Sequence, residues 1–382
     1  MNQYFMDFEK NSVLYYRKKV EIKTPILHCA FLVKRGSLHD YIPGTAHCLE
    51  HMMIENQIVD NLDWKLVNRW AHTDFYNTTF FFVVDVKNFE YVNGVIKNIM
   101  NGIGMCKQEF DRIKTHVIEE CLNRKEENIK NYLFEKSAYF MKSPVGNVEA
   151  LLDLQYRDIE QFYLKHYLNK NYVFLATGNL ECFESINGSK IHIGEYYSKN
   201  SVVCYPLAFG NDIYNMGIDN INIYFNTQIN QEALFGKIEV FLLNMQIVVE
   251  CLRLILKEEL RDGMEIVNCR LMKFSIGFYL IHIEIVDNDR RFRLKPNEII
   301  NRIKDINWVK YKDLIKNIID MYKRKFSKRE GTNLGEILVE AESEVLYEKN
   351  FYNGSKDAIF DVESTIECLN DFGILYKYRI IV

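Results

Sequence analysis

Apolar residues recur at every second position over parts of residues 12–34, with Val20 and Ile22 first and then Ile26 through Phe31–Val33, a period that suits β-strands. Gly36 and the Asp40–Gly44 stretch with Pro43 interrupt this pattern. An amphipathic helix is predicted to start near Thr45 and to carry His47 to Met53. Residues 64–70 read as helical, and 75–86, rich in Phe, Thr and Val, as a strand. Helical spacing follows at about 88–102 and 107–136, then a turn at Ser143-Pro144-Val145-Gly146, a helix through Leu151–Tyr167 and a buried strand at Tyr172–Gly178. The pattern weakens between about 185 and 212, which reads as a linker. A similar order then returns. A strand at Ile221, Ile223 and Phe225 precedes a long apolar-faced helix over 232–260 and two strands in 264–286; helices at about 310–326, 333–347 and 357–371 and a last strand at the C-terminus complete it.

Two α/β halves without strict βαβ alternation predict an α+β protein of two domains, 1–195 and 206–382. The length of 382 residues agrees with two domains. A hydrophobic fraction of 48% and a charged fraction of 26% exclude a disordered tail, a collagen-like repeat and a coiled-coil rod. The net charge of −4 argues against a general electrostatic grip on nucleic acid. Nine cysteines, none in a CxxC pair, make a disulfide framework or a Cys-rich zinc site a poor fit and favour a reducing compartment. The N-terminus lacks the apolar core of a signal peptide, and no run approaches the roughly 18 apolar residues of a membrane span. The expectation is a soluble cytoplasmic protein.

Chemistry concentrates in His47-Cys48-Leu49-Glu50-His51. Positions i and i+4 of a helix share a face, so His47 and His51 can offer two imidazoles to one ion. Glu50 falls near the same face, beside the metal without ligating it, as in the H-x-x-E-H zinc-protease pattern. A catalytic zinc site usually keeps three protein ligands and an open position for water, so a third ligand must come from elsewhere.

The segment Gly36-Ser37…Asp40…Pro43-Gly44-Thr45-Ala46-His47-Cys48-Leu49-Glu50-His51-Met52 closely resembles the M16 family of pitrilysin, insulysin and the mitochondrial processing peptidase. Asp158-Ile159…Phe162-Tyr163…His166-Tyr167…Asn171…Gly178-Asn179 is similar to the segment that ends that family's first domain, and Leu260-Arg261 is a weaker match in the second half. The resemblance implies two homologous α/β-sandwich domains of the M16 (LuxS/MPP-like metallohydrolase) type, joined by a linker, in the half-size branch. It implies Zn2+ held by His47, His51 and Glu120, the last from the helix around His116-Val117-Ile118-Glu119-Glu120, with Glu119 as the register alternative. Glu50 would be the general base. A peptide substrate would lie along Ala71, His72 and Thr73 and reach Arg261. His116, one turn before Glu120, reads as a surface histidine or as a neighbour of the site.

Three departures stand out. The family's strand motif carries an Asn before the Ala71-His72-Thr73-Asp74 stretch, and this chain does not. The position seven residues before Glu120, a glutamate in relatives, is Ile113. The tyrosine that relatives place seven residues after the arginine matching Arg261 is Asn268. An intact zinc set beside an altered Arg/Tyr pair suggests the zinc-bearing member of a heterodimer with a second M16-like subunit, or a homodimer in which Arg261 suffices. A non-catalytic assembly or peptide-binding subunit is the alternative. The Asn-, Ile- and Lys-rich composition is compatible with an AT-rich bacterial genome, where half-size relatives often trim leader segments from small modified peptides.

Overall fold

The computed structural model describes residues 3–8, 13–19, 25–56, 67–123, 133–135, 139, 141–168, 172–178, 211–214, 220–226, 238–260, 264–275, 278–287, 296–329, 360–374 and 378–381. Two compact units emerge, one built mainly from the chain before residue 204 and the other mainly from the chain after it. The boundary at 195–206 and the expected linker up to residue 210 lie outside the described residues, as do the helix expected at 333–347 and Arg261; the end of that stretch is strand from Asp212 onward.

The first unit is a six-stranded sheet of order β1-β2-β6-β3-β5-β4, from Gln3–Phe8 (β1), Val13–Lys19 (β2), Ile26–Val33 (β3), Val67–Thr73 (β4), Thr78–Asp85 (β5) and Tyr172–Gly178 (β6). The β2–β6 pair is parallel and the other pairs are antiparallel. Central β3 is buried almost throughout, which is why its sequence is a near-continuous apolar run. One face of the sheet carries Leu27, Cys29, Phe31 and Val33 of β3 and Phe80, Phe82 and Val84 of β5. Helices Thr45–Glu55 (α1), Phe89–Met100 (α2), Phe110–Asn123 (α3), Val148–Asp153 (α4) and Tyr156–His166 (α5) supply the apolar partners of this core, among them Leu49, Met52, Val92, Val95, Ile113, Val117, Ile159 and Phe162.

Two expectations change here. Of residues 64–70, read as helical, those from Val67 onward form edge strand β4, paired antiparallel with β5 from Val67↔Val84 to Thr73↔Thr78. Its alternation has period two, with Asn68, Trp70 and His72 exposed and Thr73 buried. The helix expected through Leu151–Tyr167 is two helices. Asn147 caps the first by accepting from the Ala150 amide at 2.8 Å, and Asp158 starts the second by accepting from the Gln155 amide at 2.9 Å.

The second unit holds a five-stranded sheet, β7-β11-β8-β10-β9, from Asp212–Tyr214 (β7), Asn220–Asn226 (β8), Met264–Ser275 (β9), Phe278–Asp287 (β10) and Tyr378–Ile381 (β11). Its order repeats that of β2-β6-β3-β5-β4 strand for strand, including the single parallel pair, here β7–β11. The helix Ile238–Glu259 (α6) stands between β8 and β9 as α1 stands between β3 and β4, but it carries no histidine. Its Ile247, Cys251 and Ile255 pack in one core with Ile223 of β8 and Ile281 and Ile283 of β10. Helices Pro296–Lys304 (α7), which the sequence pattern did not predict, Lys312–Arg329 (α8) and Val362–Ile374 (α9) complete the unit.

The loop before α1 is fastened to the β4–β5 hairpin. The Ser37 amide donates to the Asp74 carbonyl at 2.9 Å and the Leu38 amide to the Phe75 carbonyl at 3.0 Å. A Cβ at Gly36 would meet the Asp74 carbonyl oxygen at 2.3 Å, so only glycine lets these backbones approach. Gly36→Ala is expected to destabilise the protein by about 1–3 kcal/mol through forced backbone displacement, read as a lower urea midpoint at unchanged slope.

Candidate functional site

α1 begins at a glycine for a physical reason. Gly44 sits at φ 95°, the left-handed region, and a Cβ there would lie 2.7 Å from Leu151 Cδ2. The Asp40 carboxylate accepts from the Gly44 amide at 2.9 Å and from the Ala46 amide at 3.0 Å, so it satisfies amide donors at the helix start. Burial pushes the Asp40 carboxyl up to about 7, against the pull of those two amides and of Lys142. The helix packs against β4, α3 and α5 and is buried over most of its length, which brings two polar side chains, His47 and Glu50, into the interior.

His47 and His51 face one another with their Nε2 atoms 3.1 Å apart. The Glu120 carboxylate, from α3, lies 3.6 Å from His47 Nε2 and 3.4 Å from His51 Nε2. Glu119, the register alternative, is exposed. Three atoms each about 2.0–2.1 Å from one tetrahedral zinc ion stand about 3.3–3.4 Å apart, so this triangle has the dimensions of a zinc ligand set. Electrostatics agree with the geometry. Burial acts to lower the pKa of His51, yet the carboxylates of Glu120, Glu55 and Glu50 outweigh it and raise it to about 9, so the field here favours positive charge.

Glu50 is 4% exposed and accepts a 2.7 Å hydrogen bond from the Thr73 hydroxyl. Thr73, expected to contact substrate, therefore reaches the carboxylate of α1. Ala71, His72 and Thr73 line the same cavity of about 250 Å³ as His47, Glu50, His51 and Glu120, and they belong to β4, the outermost strand of the sheet. Asn268 lies in β9, opposite Glu284 of β10.

Glu55 lies closer to the site than the sequence suggested, and His116 takes the second of its two expected places, beside it. Glu55, one turn after His51, takes a 2.7 Å hydrogen bond from His51 Nδ1. Burial works to raise its carboxyl, but His51 and Arg112 prevail and hold it below the usual carboxylate value. His116 is half exposed, yet its ring stands 5.1 Å from that of His51 and its Nδ1 is 3.1 Å from the Glu55 carboxylate. The local signal for Glu55 was its i+4 spacing from His51, which a solvated helix face also produces.

A second pair of imidazoles joins the loop before α1 to the last turn of α5. His39 and His166 meet edge-on with centroids 5.5 Å apart, and His166 Nε2 is buried without a hydrogen-bond partner. Burial first, then the Arg35 guanidinium, lowers His39 to about 4, and burial, then His39 and Arg35, lowers His166 to about 4. The unfolded chain therefore binds more protons than the folded one between about pH 6.5 and 4, so these groups withdraw stability as pH falls through that window. Asp40, with a raised pKa, works the other way over an overlapping range. Replacing both histidines by glutamine should therefore weaken the loss of stability in acid relative to the parent chain, measured as urea midpoints from pH 7 to 4.

Comparison with known proteins places this geometry in context. Residues 20–147 match the insulinase family of peptidases, peptidase family M16. Over 194 residues the chain is 26% identical to a probable zinc protease PqqL of Haemophilus influenzae, a match covering 45% of this chain and 21% of that protein. The match thus spans well under two thirds of that relative. Among solved structures, the first half of the periplasmic protease PqqL from Escherichia coli is similar over 100% of this chain and 92% of its own, with a TM-score of 0.70 at 14% identity. A peptidase M16 inactive domain from Pseudomonas fluorescens is similar over 100% and 98%, with a TM-score of 0.67 at 13% identity.

Proposed function

We propose, from the match of residues 20–147 to the insulinase (M16) peptidase family, that this chain is the zinc-bearing subunit of a metallo-endopeptidase acting on short unfolded peptides, leader segments of small ribosomal peptides among them. The observation that carries the reading is the meeting of His47, His51 and Glu120 at zinc-ligand spacing, with Glu50 beside them and an edge strand along the cavity. The repeated strand order supports two homologous domains within the chain, with the ligands in the first.

Zinc, when bound, lowers the pKa of a coordinated water toward 7 and polarises a peptide carbonyl. The remaining work falls to the protein. Glu50 takes the proton of the attacking water and delivers it to the leaving amine nitrogen. The Thr73 hydroxyl occupies Glu50 Oε2 and holds the carboxylate in place. Edge strand β4 offers main-chain hydrogen bonds to an extended peptide, which gives affinity with little demand on sequence. A folded protein would have to unravel before presenting a strand. Short unstructured peptides should therefore be cut while a disulfide-locked folded protein survives, as followed by mass spectrometry; rapid digestion of the latter would overturn the reading.

A non-catalytic subunit of a heteromeric complex is the second reading. Asn268 in place of the tyrosine and the likeness to a domain named inactive favour it. It predicts no hydrolysis with any partner, whereas the peptidase reading predicts cleavage once the right partner is added. No described helix is long and apolar enough to cross a membrane.

A further inference from the structure

We propose that Glu55 is the positioning residue of the zinc site, the carboxylate that orients His51, and that it does from α1 what Ile113 cannot do from α3. The proposal rests on the zinc reading above and extends it to a residue outside the ligand set.

Helix geometry explains why Glu55 suits this task. Four residues advance an α-helix by about 400°, so each i+4 step drifts about 40° around the axis. His47, His51 and Glu55 form such a series. The two imidazoles converge through their Nε2 atoms, while the third member has rotated past the ligand triangle and meets His51 at its other nitrogen. There Glu55 Oε1 lies 2.7 Å from His51 Nδ1. A proton shared at Nδ1 fixes the tautomer whose lone pair is on Nε2, the atom that faces His47 and Glu120.

Glu55 is itself held in place. Arg112 of α3 donates from Nη1 to Glu55 Oε2 at 3.0 Å and from Nε to Glu109 at 2.7 Å. His116 Nδ1, also from α3, stands 3.1 Å from Oε1. One carboxylate thus ties the last turn of α1 to the helix that brings Glu120. Ile113 is fully buried in the apolar core, so that position of α3 offers the histidines no carboxylate.

The test measures zinc affinity of the full chain by competition with a chromophoric chelator, with urea midpoints of the same variants alongside. Glu55→Ala should bind zinc about 10–100-fold more weakly than the parent chain, the usual effect of removing such a partner. Glu55→Gln, whose amide oxygen still accepts from Nδ1, should fall between the two. Both should unfold at nearly the parental midpoint before zinc is added, and cobalt-loaded Glu55→Ala should show altered visible bands. If Glu55→Ala does not fold, the nearly isosteric Glu55→Gln carries the measurement. Parental affinity in both variants would overturn the role of Glu55 alone, as would affinity lost only in step with the urea midpoint. Failure of the parent chain to bind zinc would overturn the underlying reading as well, and that result is distinct because it appears before any substitution.

Discussion

Glu50→Gln is expected to leave zinc bound and to lower the turnover of a short peptide by about 10²–10⁴-fold, the range for loss of a general base. The side chain lies at 4% exposure beside His47 and His51, and the Thr73 hydroxyl fixes one oxygen at 2.7 Å. Glutamine preserves that contact and the volume but cannot take a proton, so the fold and the ligand triangle should persist. Alanine at His47, His51 or Glu120 should act on the other half of the division, removing stoichiometric zinc. Metal analysis and kinetics on the same preparations separate the two classes. Wild-type turnover in Glu50→Gln would show the mechanism to be wrong. Zinc lost in Glu119→Ala but retained in Glu120→Ala would show the ligand register to be wrong.

The second large effect concerns a partner. Purified alone, the chain is expected to bind zinc and turn over little; with a second M16-like subunit carrying its own Arg and Tyr, turnover should rise by about 10²–10³-fold, the size of one donor to a developing oxyanion. Asn268 is the reason. Its amide donates hydrogen bonds but is shorter than a phenol by roughly one aromatic ring. Size-exclusion chromatography of the mixture with parallel peptide assays would show association and activity together. Full activity from the isolated chain, unchanged by Arg261→Ala, would rule out the dependence. A gain in isolated Asn268→Tyr would support the pairing of positions.

Helix α1 was legible because its information is local. His47 and His51 lie four residues apart, and helix periodicity alone puts them on one face wherever the helix packs. Strand β3 was legible for a similar reason, since a central strand buried on both faces announces itself as an apolar run. Edge strand β4 was misread over 67–70. Half of its side chains face solvent, and its strand character rests on the pairing with β5 rather than on its own composition.

The third proposed ligand, Glu120, marks the limit. Glu120 follows His51 by 69 residues, and nothing in its own segment separates it from Glu119 except likeness to a family. Only the packing of α3 against α1 sets Glu120 against both imidazoles and leaves Glu119 in solvent. The same packing made neighbours of His51 out of Glu55, which the sequence presents as an ordinary polar position on a helix surface, and His116, for which the sequence left a surface place and a place beside the site both open. The sequence by itself determined which side chains share a helix face, because 3.6 residues per turn is a property of the backbone. The tertiary structure decided which carboxylates reach that face, because buried apolar residues such as Ile113 and Val117, not the carboxylates themselves, set the rotation of α3.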